Sequence, residues 1–76
     1  MGILTQYIQA AMREAIFEKL VDGDLWYASI PCCRGVWATE KTMKKCEDTL
    51  QEVLEEWLLL KLRDNDPLEK IGGVTL

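Results

Sequence analysis

The feature of this sequence that most restricts its fold is a long amphipathic segment in its second half. Apolar residues recur there at intervals of three or four, which is the repeat of one face of an α-helix: Met43, Cys46, Leu50, Val53, Trp57 and Leu60. Thr42 precedes the segment as a capping residue, and Pro67 follows it and ends helical geometry. The pattern predicts a helix over about residues 43–63 with one face against a core.

The second half of this segment is more apolar than one helix face requires. Four further leucines widen the stripe: Leu54, Leu58, Leu59 and Leu62. One sheet face rarely covers so wide a surface, so we predict that these leucines contact another subunit. The length favours the same conclusion, because a small domain buries only about 60% of its unfolded surface on its own.

Residues 15–40 carry the signals of a small antiparallel sheet. Asp22-Gly23-Asp24 is a turn sequence between two apolar runs and predicts a hairpin with strands at about 15–21 and 25–30. Aromatic residues fall on both faces of the second strand, which indicates a partner surface or a covering helix. Pro31 ends that strand, and a third strand is predicted over about 36–39.

These elements predict one α+β domain over residues 1–76. A helix over about residues 4–12 precedes an antiparallel sheet of three to four strands, which the long helix covers. The fourth strand is predicted over about residues 70–75.

The charge composition excludes several classes of function. Thirteen acidic and nine basic residues give a net charge of -4, and histidine is absent. Without histidine, serine–histidine and cysteine–histidine catalysis are excluded. Clustered basic residues are lacking, so we expect no direct nucleic-acid binding. We find no phosphate-binding glycine loop, signal peptide or membrane span, and therefore expect a cytoplasmic protein without a cofactor or bound metal.

Two groups of residues leave a catalytic alternative open. A metal-dependent nuclease would need several carboxylates to converge, and five lie on or near the predicted strands: Glu14, Glu18, Asp22, Asp24 and Glu40. A thiol enzyme could use Cys32 or Cys33, which lie beside the cationic Arg34. Turn formation and loop packing explain the same residues, so catalysis is the least favoured interpretation. Three cysteines without CxxC spacing predict free thiols.

The strand and helix sequences together resemble the HicB antitoxin family. The resemblance rests on Leu25-Trp26-Tyr27-Ala28-Ser29-Ile30-Pro31, then Gly35-Val36, then Thr42 before the long helix, and it covers about residues 15–62. It implies a βββαβ sheet with one covering helix, related to a reduced ribonuclease-H-like fold that lacks its catalytic acids. It also implies a role in type II toxin–antitoxin systems, in which the antitoxin blocks a small basic mRNA interferase.

Two features depart from the family pattern. Full-length members often carry a C-terminal operator-binding domain, for which we expect no room in this chain. Lys45 stands where a capping box would place glutamate.

We therefore predict a non-catalytic interaction domain that forms a homodimer or higher oligomer and neutralises a small basic toxin. Arg34 and Trp37 near the third strand, and Glu52 and Glu56 on the helix, are the predicted partner contacts, because an acidic surface attracts a basic protein. The main alternative is an oligomeric regulatory or adaptor domain that has no toxin.

Overall fold

Five elements follow one another along the chain in a computed structural model that describes residues 2–21, 23–64 and 68. They are α1 (Ile3–Arg13), β1 (Ile16–Leu20), β2 (Leu25–Ser29), β3 (Trp37–Glu40) and α2 (Met43–Arg63). The strands form one antiparallel sheet in the order β1-β2-β3. The predicted α+β class, with an N-terminal helix and a long second helix, is confirmed. The predicted strand over 70–75 lies outside the described residues.

The β1–β2 hairpin closes at the predicted turn sequence. Leu20 pairs with Leu25, so the chain reverses its direction between these two residues. Gly23 and Asp24 have φ angles of 86° and 52°, which lie in the left-handed region that glycine and aspartate tolerate best. Lys19 Nζ lies 3.6 Å from Asp24 Oδ1, and both side chains are exposed, so this ion pair adds little stability.

The connection from β2 to β3 consists of two successive turns. The Ile30 carbonyl accepts a hydrogen bond from Cys33 N at 3.0 Å, and the Cys33 carbonyl accepts one from Val36 N at 3.1 Å. Gly35 occupies the third position of the second turn with φ 91°, a conformation that favours glycine. Ile30 N donates to the Val36 carbonyl at 3.2 Å and closes the loop. Cys33 and Val36 thereby enter the core, where each is 1% exposed.

The core lies between the inner face of the sheet and α2. Small side chains on the strands, Ala28 and Ala38, let the helix approach closely, and both are buried. On α2 the buried residues recur at every fourth position: Cys46, Leu50, Leu54 and Leu58. Thr42 caps this helix, since its Oγ1 accepts a hydrogen bond from Lys45 N at 3.1 Å.

The buried side of α2 differs from the predicted stripe. Met43 and Leu60 are 45% and 51% exposed, and Val53 and Trp57 are only half-buried. A row at every fourth residue turns gradually around the helix axis, because four residues exceed one turn of 3.6 residues. The sheet covers the first half of α2, whereas α1 lies beside the second half, so the buried side rotates between the two partners.

The predicted subunit contact through the four leucines of α2 is wrong for two of them. Leu54 and Leu58 are 0% and 2% exposed within the single chain, so they are core residues and present no surface to another subunit. Leu59 and Leu62 remain 65% and 41% exposed. The excess apolar surface of α2 is partly covered by α1, whose Tyr7, Ala10 and Ala11 are buried.

The outer face of the sheet is open. Its residues alternate with the inward-facing ones along each strand: Ile16, Glu18, Leu20, Leu25, Tyr27, Ser29, Trp37 and Thr39. None of these eight residues is buried. We call this surface the open sheet face. In the described part of the chain, neither helix is sufficiently long and apolar to cross a bilayer.

Candidate interaction surfaces

The four predicted partner contacts fall on two sides of the domain. Trp37 belongs to the open sheet face, and Arg34 lies exposed in the loop just before it. Glu52 and Glu56 lie on the side of α2 that faces away from the core. The sheet and the helix layer separate the two pairs, so the structure does not assemble them into one site.

An aromatic pair dominates the open sheet face. The rings of Tyr27 and Trp37 stack with their centroids 6.3 Å apart and their planes at 24°. Trp37 is 54% exposed, a large fraction for a tryptophan outside an interface. Stacking on Tyr27 fixes the ring in place, so a partner could bury it with little loss of side-chain entropy. Sequence reasoning missed Tyr27, although its alternation with Ala28 along β2 already placed it on the face away from the core.

The solvent side of α2 is acidic. Five exposed carboxylates lie along it: Glu47, Asp48, Glu52, Glu55 and Glu56. We call this surface the acidic helix face. Lys44 Nζ lies 3.2 Å from Asp48 and 3.8 Å from Glu47. The hydrogen bond and charge of Asp48, with a smaller effect of Glu47, raise the pKa of Lys44.

The carboxylates farther along this face have no cationic partner in the described part of the chain. Gln51 Nε2 donates a hydrogen bond to Glu55 Oε2 at 3.0 Å but brings no charge. Glu52 and Glu56 form no ion pair with any residue in the described ranges. Their positions four residues apart place both carboxylates on neighbouring turns of one rigid helix.

A third surface lies where α1 begins and α2 ends. Its exposed apolar residues are Ile3, Leu4, Leu59, Leu60 and Leu62, which we call the terminal apolar patch. A groove across it is lined by Leu4, Ile8, Leu58, Leu59 and Leu62, together with Glu55. The patch therefore borders directly on the acidic helix face.

The carboxylates considered for a nuclease do not converge in the described part of the chain. Glu14 is the C-cap of α1, and Asp24 lies at the hairpin turn. Glu18 points to the open sheet face, whereas Glu40 lies on the inner side and accepts a hydrogen bond from Thr49 Oγ1 at 3.0 Å. No group of three metal-ligating side chains occurs among the residues described, and Asp22 lies outside them.

The three cysteines are free thiols and are all at least partly covered. Cys33 is 1% exposed and Cys32 is half-buried. Cys46 is fully buried, and its Sγ lies 3.6 Å from the Trp26 carbonyl and 3.5 Å from the Ala38 carbonyl, to which it donates. Burial, together with the charge of Glu40, raises the pKa of the Cys46 thiol. A buried thiol with a raised pKa is a poor nucleophile.

The comparisons with known proteins agree with this architecture. The model of the UPF0150-like family matches residues 6–69, which is most of the chain. The chain belongs to the UPF0150-like family. This family is associated with HicB-like antitoxins, in agreement with the resemblance carried by residues 15–62. Its match spans most of α1, the whole sheet and α2.

A solved structure shares the complete fold. The crystal structure of TTHA0281 from Thermus thermophilus is similar with a TM-score of 0.94 and 42% sequence identity. The alignment covers 100% of this chain and 94% of TTHA0281. No protein with a curated description matches the chain. The comparisons therefore establish a family and a fold.

Proposed function

We propose that this chain is a protein-interaction domain that binds and neutralises a small basic mRNA interferase. The observation that carries the proposal is the acidic helix face, on which the exposed Glu52 and Glu56 have no basic partner in the described part of the chain. Association of this family with HicB-like antitoxins supports it.

Electrostatics gives this arrangement a mechanism. An enzyme that cleaves mRNA has to hold phosphates, and it does so with clustered lysine and arginine side chains. Carboxylates fixed on one helix can pair with those same cations and so compete with RNA for them. The net charge of -4 also steers a basic protein toward this domain and raises its association rate.

An RNA-cleavage assay tests the proposal directly. The probe is a small basic protein that co-purifies with this chain in near-stoichiometric amount from its native cells. We expect the wild-type chain to abolish RNA cleavage at a saturating ratio. The variant Glu52→Lys should raise the concentration for half-inhibition by about tenfold or more, because it places a positive side chain opposite the basic residues of the toxin.

Glu14→Lys is the matched control, since it makes the same change of charge at an exposed position outside α2. We expect it to inhibit nearly as well as the wild type, apart from a small loss of long-range steering. Full RNA cleavage at saturating amounts of the wild-type chain would contradict the proposal. Equal effects of Glu52→Lys and Glu14→Lys would remove the acidic helix face from it.

An oligomeric adaptor without a toxin is the second candidate. The exposed apolar residues favour it, because Trp37 and Leu59 are 54% and 65% exposed and such surfaces mark contacts between proteins. Recovery of this chain alone from the lysate, with the mass of an oligomer, would support the adaptor against the antitoxin.

A further inference from the structure

We infer that the open sheet face binds a second copy of this chain, with a two-fold axis parallel to the strands. This inference goes beyond the proposed toxin binding and does not depend on it. It assigns the predicted self-association to a surface other than the leucines of α2. The two sheets would pack face to face, about 10 Å apart, as in a β-sandwich.

The strand register makes this face complementary to itself. Ile16 of β1, Ser29 of β2 and Trp37 of β3 form one cross-strand row. The two large apolar side chains at the ends are 49% and 54% exposed, and the small serine lies between them. Rotation about an axis parallel to β2 places β1 of one copy over β3 of the other. Ile16 of each copy then contacts Trp37 of the other, and the two serines leave room at the centre.

The charges on this face are compatible with the same arrangement. The next row consists of Glu18, Tyr27 and Thr39. The same rotation brings Glu18 over Thr39 of the other copy, whose hydroxyl can donate to the carboxylate. The two Glu18 side chains stay apart, at opposite edges of the contact. Glu18 forms no ion pair within the described ranges, so its carboxylate is available for this contact.

The terminal apolar patch is a less suitable contact for a second copy. It borders on Glu55 and Glu56, and the groove across it contains Glu55. A two-fold contact there would bring two acidic helix faces together, and like charges oppose such an approach. The open sheet face carries only one acidic residue, Glu18. Two copies of a chain with net charge -4 therefore repel each other less when they meet through this face than through the terminal apolar patch.

The size of the face sets the expected strength of the contact. Three strands of four to five residues cover roughly 17 Å by 14 Å. This is less than the area of about 800 Å² that each partner contributes to a typical stable interface. We therefore expect a weak dimer that dissociates on dilution, with a dissociation constant of about 100 µM.

Light scattering and sedimentation of the full chain, from about 10 µM to about 1 mM, test the inference. We expect the mass to rise from 8.7 kDa toward twice that value. Trp37→Ala and Ile16→Ala should each raise the dissociation constant by about tenfold, since truncation of a large apolar anchor in a contact has this effect. Leu59→Ala, in the terminal apolar patch, is the matched control and should leave it unchanged. Circular dichroism confirms that each variant is folded.

The double variant Ile16→Ala/Trp37→Ala identifies the pairing. Within one chain these residues lie at opposite ends of a row and are separated by β2. If Ile16 and Trp37 meet across the dimer, the double variant should raise the dissociation constant by clearly less than the product of the two single increases. Independent, multiplying effects would overturn the Ile16–Trp37 contact.

Three outcomes would overturn the inference as a whole. The first is a wild-type mass of one chain up to about 1 mM. The second is a dimer that Leu59→Ala dissociates and Trp37→Ala does not. The third is a Trp37→Ala variant that still dimerises but no longer inhibits RNA cleavage, because the open sheet face would then bind the toxin. A monomeric Trp37→Ala variant that still inhibits cleavage supports both proposals, and a dimer that never inhibits supports only this one.

Discussion

Leu54→Ala is the perturbation that best separates the core of this domain from its interaction surfaces. Leu54 is 0% exposed and lies on the side of α2 that contacts the core. The substitution removes three carbon atoms from a buried site, and the lost transfer free energy is about 2 kcal/mol. The cavity left behind adds about 1 kcal/mol or more when its neighbours cannot move to fill it.

The composition of this core favours a persistent cavity. The cluster that contains Leu54 also contains Ala10, Ala11, Ala28 and Ala38, whose side chains are too short to fill the space. The better helix propensity of alanine returns only about 0.2 kcal/mol. We therefore expect the free energy of unfolding to fall by about 3 kcal/mol. A domain of this length has a stability of roughly 4–11 kcal/mol, so the variant should fold but with a clearly lower denaturation midpoint.

Leu59→Ala is the matched control, with the same residue type in the same helix. Leu59 is 65% exposed, and we expect its truncation to cost no more than about 0.5 kcal/mol. Urea unfolding followed by far-UV circular dichroism measures both variants. Protein concentrations below about 10 µM keep a weak dimer dissociated. A cost below about 1 kcal/mol for Leu54→Ala, or a cost that grows with protein concentration, would refute the assignment of Leu54 to the core of the single chain.

Three further predictions concern the backbone and the buried thiol. Gly35→Ala should destabilise the domain by about 1–2 kcal/mol in urea unfolding. The cause is the φ angle of 91° and not a clash, since a Cβ at this position would meet no atom within 4 Å. Gly35→Asn should cost less, and equal costs would contradict this conformational explanation. Thr42→Ala should cost about 1 kcal/mol in the same assay, since it removes the cap on Lys45 N, whereas Thr42→Ser should retain most of it; no loss in Thr42→Ala would show that the cap is unimportant. The pKa of Cys46 in the folded chain is raised above its ordinary value of 9.0, so this thiol ionises first in the unfolded chain. The free energy of unfolding should therefore fall as the pH rises above about 9. It should fall less steeply for Cys46→Ala, and parallel curves of unfolding free energy against pH for the two proteins would contradict the raised pKa.

The two proposed contacts use opposite sides of the domain and are physically compatible. The acidic helix face carries Glu52 and Glu56, whereas the open sheet face carries Trp37 and Tyr27. A dimer through the sheets would leave both acidic helix faces in solvent. Each copy could then bind a basic partner without losing the contact to the other copy.

Much of this fold follows from local sequence signals. The Asp-Gly turn, the helix cap at Thr42 and the apolar repeat of residues 43–60 each act within a few residues, and they predicted the hairpin and the bounds of α2. Sequence alone also excluded histidine-dependent catalysis and indicated an acidic surface. These conclusions depend only on composition and on residues close together in the sequence, and both are fixed before the chain folds.

The assignment of residues to core or surface required the tertiary structure. Leu54 and Leu59 belong to one leucine-rich run, yet one is fully buried and the other 65% exposed, because α1 lies beside only one side of α2. Likewise, Trp37 and Glu52 were both predicted as partner contacts, but the tertiary structure places them on opposite sides of the domain. Sequence periodicity predicts that a helix has an apolar face, but the long-range partners of that helix determine which residues the face contains and which remain available to other proteins.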